Sequence, residues 1–218
     1  SGDVLSRIDL IDGRVAVVLS DGMGVGPQAA VQSGAAVQLF SMLLETGFDL
    51  QSAVRSVNSL LLVHTGGERS ATFDAVIIDR YTGTVEFLKV GSVPTFIKRR
   101  SDIEILRSSS VPLGMIRHID VRVQQRQLDL GDTVVLMTDG VLDSIIGSKD
   151  QVEWMAHVVR RSENSDPREL LDRIVHYVDE TNGGAWRDDA TLVSIRLIQN
   201  RPAVLSKGIH SERLFHTG

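Results

Sequence analysis

Cysteine is missing from all 218 residues, which rules out disulfides, thiolate nucleophiles, zinc ribbons and iron–sulfur clusters. The same absence fits a reducing, cytoplasmic compartment. No run of 18 or more apolar residues occurs, so the sequence predicts no membrane-spanning helix and no membrane contact from this chain itself. Ser1-Gly2-Asp3 lacks the charged-then-apolar order of a signal peptide. A start in loop-like sequence without Met reads as a domain excised from a longer parent, one that itself carries any membrane anchor. Basic residues do not predominate: the net charge of -5 argues against a nucleic-acid binder. Internal repeats and low-complexity segments are also absent. What is present is ordinary globular material, 42% apolar and 23% charged, in a length that supports one sizeable domain.

Periodicity orders that material. Arg14–Ser20 is a β-branched run suited to a strand buried on both faces, broken by Asp21-Gly22-Met23-Gly24-Val25-Gly26. From Pro27 to about Thr46 the spacing predicts a helix with Val31, Ala35, Leu39 and Met42 in one stripe and Ala36, Phe40 and Leu43 beside it. Asp49 then caps a second helix whose apolar face is Leu50, Val54, Val57 and Leu61. Beyond Gly66-Gly67 the period falls to two. Short strands are predicted over Thr72–Asp79, Thr84–Val90, Thr95–Lys98, Ile103–Leu106, Val121–Leu128 and Thr133–Thr138. Their close spacing allows only antiparallel neighbours. Helices follow over Gln151–Arg161 and from Pro167 onward, the latter with Asp166 and Glu169 as a capping box. Thr191–Leu197 is the last strand. This order predicts an α+β layered sandwich of two antiparallel sheets with helices outside, occupying residues 1–198, followed by a tail at 199–218.

The chemistry is predicted at three aspartates that bound strongly apolar strands. Asp21 follows Arg14–Ser20, Asp139 follows Thr133–Thr138, and Asp188 stands just before Thr191–Leu197. A strand end fixes the direction of such a carboxylate, and neighbouring central strands would bring the three heads together. Carboxylates that close cannot all stay ionised without cations. Oxygen-only ligation suits magnesium or manganese. Gly22 and Gly140 would let backbone and metal approach, with the Gly22 carbonyl as a further ligand. Taken singly, Asp-Gly after a strand is simply a common turn; the three sites carry the signal jointly.

Ser20-Asp21-Gly22-Met23-Gly24, Thr138-Asp139-Gly140-Val141 and Asp188-Asp189-Ala190-Thr191 resemble the metal-binding motifs of the PPM (protein phosphatase 2C type) family. Ser1-Gly2-Asp3, Phe87–Pro94 and Pro112-Leu113-Gly114 extend the likeness to phosphatase domains of the stage II sporulation protein E type. The resemblance covers roughly residues 1–198. It implies a four-layer α-β-β-α sandwich, two Mn2+ or Mg2+ ions and hydrolysis of phosphoserine. The implied substrate is a phosphorylated anti-anti-sigma factor, in sporulation sigma-factor control. By the same resemblance Asp21 bridges the ions, Gly22 touches the second, and Asp139 and Asp188 hold the first. Asp189 is an alternative to Asp188, and Asp3 acts through water or at a further ion. The ions would activate a shared water and offset charge on the phosphoryl oxygens.

Other features admit two readings each. None of His64, His118, His157, His176, His210 and His216 lies in an aspartate motif, and those on helices read as surface or packing residues. The helices at 27–64 are core covers, or, by resemblance, a moving pair that switches the metal site and forms a homodimer contact. Arg99-Arg100 and Arg160-Arg161 are surface charge or a docking patch. Leu205, Ile209, Leu214 and Phe215 are a loose tail or a docking arm. Two rivals to the enzyme reading remain: a PPM-like binding module without activity, and a nucleotide-binding enzyme. The Gly22-x-Gly24-x-Gly26 spacing does not match G-x-G-x-x-G and no G-K-[ST] exists.

Overall fold

A computed structural model describes residues 2–22, 27–65, 70–100, 102–162, 166–198 and 212–215. The chain divides into two compact units, Ser1–Ser92 with Arg107–Gln127, and Val93–Leu106 with Leu128–Gly218. Each carries one five-stranded antiparallel sheet and its own helices, so the expected α+β composition of two antiparallel sheets plus helices is present.

In the first unit β1 (Asp3–Asp9), β2 (Arg14–Asp21), β3 (Phe73–Asp79), β4 (Thr84–Val90) and β7 (Val123–Gln127) lie in that order. β1 was not expected, because only Ile8 of its residues is fully buried and its apolar residues do not alternate cleanly. The legible signal is Asp12-Gly13, a hairpin turn with Gly13 at φ 86°. Its register pairs Asp3 with Asp21. The two helices α1 (Pro27–Glu45) and α2 (Leu50–Thr65) pack on this sheet's core. Asp49 caps α2 as expected, accepting from Ser52 N–H at 2.9 Å, and Leu50, Val54, Val57 and Leu61 are buried.

For α1 the predicted stripe is corrected. Ser33, Ala36, Val37, Phe40 and Leu44 are the buried positions, whereas Val31 and Met42 are 69% and 56% exposed. The helix is apolar almost all round, so period alone does not select a face. Contact selects it: Phe40 meets Phe73 of β3 edge-on at 4.8 Å, and the Ser33 hydroxyl donates to the Gly2 carbonyl at 2.6 Å.

One buried residue of α2 ties the helix to the loop at 110–119. Asn58 donates to the Ile116 carbonyl at 3.0 Å, and its own amide oxygen accepts from Gly114 N–H at 2.9 Å. Asn58→Ala leaves the buried Gly114 N–H without its partner, an expected loss of about 1–3 kcal/mol. Urea unfolding checks it; an unchanged midpoint would refute the clamp.

In the second unit the order is β10 (Glu212–Phe215), β9 (Ala190–Arg196), β8 (Thr133–Met137), β5 (Thr95–Arg99) and β6 (Asp102–Leu106). Helices α3 (Asp139–Asp143), α4 (Gln151–Arg161) and α5 (Pro167–Asn182) cover its core. Both long helices begin where the sequence placed them. Asp150 caps α4 by accepting from Glu153 N–H, and Asp166 caps α5 by accepting from Arg168 N–H. α3 was unexpected: Asp139-Gly140 opens a short helix rather than a turn. Within 199–218, Glu212–Phe215 pair antiparallel with β9; Leu205, Ile209, His210 and His216 lie outside the described residues. Arg99 is engaged with Asp132 at 2.9 Å, while Arg160 and Arg161 end α4 exposed. Among the described residues no helix is long and apolar enough to cross a membrane.

Candidate metal centre

The first unit presents Asp21 at the end of β2, where Thr72 fixes its main chain. Asp21 N–H donates to Thr72 Oγ1 at 3.1 Å, and Thr72 N–H donates to the Asp21 carbonyl at 2.8 Å. The Ser20 hydroxyl adds a bond to the Thr72 carbonyl at 2.8 Å. Gly22 is held twice more: it bridges to Ala71, and its N–H donates to the Gly2 carbonyl at 3.2 Å. Ala71 in turn exchanges both backbone bonds with Leu113, at 3.0 and 2.8 Å. Gly91 N–H reaches the Ser110 carbonyl at 3.0 Å. Gly2 of the first motif, Asp21-Gly22 of the second and Leu113 of the 112–114 motif are thus joined through Ala71 and Thr72 by backbone bonds within one unit.

Strand alternation places Asp3, Asp21, Asp74 and Lys89 on one face of this sheet. Asp74 and Lys89 face each other across β3 and β4 as a nearly fully buried ion pair. Burial pushes the Lys89 ammonium below its ordinary range, against the pull of the Asp74 carboxylate. Sequence reading missed Thr72, Asp74 and Lys89, since each is a lone polar residue in a strand pattern.

The second unit presents Asp139 as the first residue of α3 and Asp188 and Asp189 just before β9. Thr138 links the two segments: its N–H donates to the Thr191 carbonyl at 3.1 Å, and its Oγ1 accepts from Thr191 N–H at 2.9 Å. Gly140 lies so close to the second segment that a Cβ there would stand 2.1 Å from the Asp189 carbonyl oxygen. Asp139 is half-buried, Asp188 exposed and Asp189 intermediate. The Asp188 carboxylate accepts from Asp189 N–H at 2.8 Å. Burial raises the Asp139 carboxyl above its ordinary range, and the nearby negative charges of Asp143 and Asp188 raise it further.

These residues suit a hard divalent cation. Every side-chain donor is a carboxylate oxygen, and the negative charge gathered at Asp139 is the condition a cation relieves. Among the described residues, no group of three or more His, Asp or Glu is drawn close enough to hold an ion. The first unit thus offers Asp3, Asp21 and the Gly22 backbone, and the second Asp139, Asp188 and Asp189. His64, His118, His157 and His176 are all exposed, as the surface reading expects for the helical three.

Two solved structures define the class of fold. The PP2C phosphatase domain with a fragment of the regulatory domain of the cell fate determinant SpoIIE from Bacillus subtilis is 35% identical. It aligns with a TM-score of 0.81 over 90% of this chain and 58% of that one. The phosphatase domain of the same determinant, in a crystal form without domain swapping, is 33% identical. Its TM-score is 0.76 over 96% of this chain and 91% of that one. The architecture is that of a PP2C-type protein phosphatase domain. The model of the stage II sporulation protein E (SpoIIE) family matches residues 11–198, and the chain belongs to that family. Stage II sporulation protein E of Bacillus subtilis (strain 168) is 35% identical over 202 residues. That match takes in 93% of this chain and 24% of the relative, so the chain spans about a quarter of that protein's length.

Proposed function

We propose that this domain is a metal-dependent serine/threonine phosphatase that hydrolyses phosphoserine on a regulatory protein of the anti-anti-sigma factor type, within sporulation sigma-factor control. It would act as a cytoplasmic domain of a longer, membrane-anchored parent. The observation that carries this reading is the Asp139 carboxyl, half-buried and loaded with negative charge from Asp143 and Asp188. An enzyme that handles a dianionic phosphate has no use for such a site unless cations reverse its sign.

Asp21, the Gly22 carbonyl, Asp139 and Asp188 are proposed to hold two Mn2+ or Mg2+ ions, with Asp189 and Asp3 as further ligands. When bound, the ions supply an activated water and charge neutralisation at the phosphoryl group. The chain's own part is to fix the donors. Thr72 and Ser20 fix the main chain at Asp21, Thr138 fixes that at Asp139, and the Gly2 carbonyl holds Gly22 through its N–H. Exposed Val31 and Met42 on α1 and Val63 on α2 support use of these helices as a contact for a second copy.

Release of phosphate from a phosphoserine anti-anti-sigma factor, measured with Mn2+ and again after chelation, tests the reading. Release is expected only with metal. Tight binding of the phosphoprotein without release under any metal would instead support a non-catalytic binding module. Uptake of labelled nucleotide would point to the nucleotide-binding alternative.

A further inference from the structure

We infer that Ser144 is a positioning residue for metal binding, setting the distance between the Asp139 and Asp188 segments from beneath; the inference rests on the metal reading above. Ser144 is fully buried. Its hydroxyl donates to the Gly140 carbonyl at 2.7 Å and accepts from Arg187 N–H at 3.3 Å. One oxygen atom therefore joins the residue after Asp139 to the residue before Asp188. Its donor and one acceptor site are both used on main chain, and neither bond goes to the carboxylates themselves.

The setting makes this link hard to replace. Val141, Leu142 and Ile145 around Ser144 belong to the dry core of the second unit. Thr138 and Thr191 tie the same two segments on the other side of Asp139. Asp139 thus sits between two cross-links, and Ser144 is the one on the Asp188 side. Without it the 187–189 segment loses its hydrogen-bonded link to α3 at Arg187, the residue next to Asp188. Cation affinity depends on how well donors are held: losing a partner bonded directly to a ligand weakens binding about 10–100-fold, and a link one residue removed belongs at the lower end of that range.

The test compares Ser144→Ala with Ser162→Ala. Ser162 is an equally buried serine whose hydroxyl donates to the Val158 carbonyl at 3.1 Å, at the end of α4 and outside both aspartate segments. Both variants lose one buried hydroxyl–carbonyl bond and should melt at lower temperature. Only Ser144→Ala should weaken Mn2+ binding, by about tenfold, read from the free-ion electron paramagnetic resonance signal during titration. In hydrolysis of p-nitrophenyl phosphate, half-activating Mn2+ should rise by the same factor while kcat at saturating metal stays within about threefold. Equal affinities of wild type and Ser144→Ala, or equal losses in both variants, overturn the inference alone. A wild type that takes up no Mn2+ overturns the metal reading and the inference with it. Should Ser144→Ala not fold, Ser144→Cys keeps the volume with a weak donor and is read by the same titration.

Discussion

Asp139→Asn is expected to lower Mn2+-dependent phosphate release on the order of a thousandfold while making the metal-free protein melt at higher temperature. The two effects share one cause. In the folded protein burial, Asp143 and Asp188 all disfavour the Asp139 carboxylate, so its proton affinity is higher folded than unfolded. The folded state then favours the protonated form. Its advantage is complete below the ordinary carboxylate range and is lost as pH rises through the raised value. At neutral pH the wild type carries that penalty and asparagine does not. Because Asp139 remains partly solvated, the gain should be only about 1–3 °C, opening as pH rises above 4. Added Mn2+ should reverse the order, since a ligand at a hundred times its dissociation constant stabilises the folded form by about 2.7 kcal/mol. Calorimetry with and without metal, across pH, checks both signs. Full activity in Asp139→Asn would sink the metal assignment.

Gly140→Ala should also lower activity, for a purely steric reason. Gly140 has no left-handed backbone, so alanine is conformationally acceptable there. The added methyl, however, would sit 2.1 Å from the Asp189 carbonyl oxygen and 3.0 Å from its carbon. Backbone cannot yield as a flexible side chain would, so the 188–189 segment must move by an ångström or more. A displacement of that size at a reacting centre costs about a hundredfold in rate, and overpacking adds about 1–3 kcal/mol of instability. Gly147→Ala is a sharp contrast, since a Cβ there meets nothing within 4 Å. The φ of 83° at that position still imposes strain, so stability falls while metal-dependent activity persists. Comparable activity in Gly140→Ala and wild type would refute the close approach.

The sequence displayed the parts of this domain whose pattern and neighbourhood agree. The strands from Phe73 to Leu106 alternate or run apolar as their burial demands, and Asp150 and Asp166 announce their helices by cap chemistry. Where pattern is degenerate, it misled. Val31, Ala35 and Met42 look as apolar as Ala36, Val37 and Phe40, and only the fit of Phe40 against Phe73 decides between them. β1 stayed hidden because an edge strand needs few buried residues. Asn58 and Ser144 stayed hidden for another reason: a polar residue inside a helix or at its end has no period to mark it. Its role appears only when distant backbone groups arrive beside it. What the sequence made legible at residues 21, 139 and 188 was position, an aspartate at or next to the end of an apolar strand.

β10 has a consequence for how the chain is handled. Its four residues pair with Ala190–Val193 of β9, shielding the outer peptide groups of that stretch, although the strong apolar rhythm ends near residue 197. Trimming the molecule at that visible limit would strip a flank and leave bare amides and carbonyls ready to recruit a strand from a neighbour. A shortened version can therefore self-associate for reasons that have nothing to do with how the intact protein assembles.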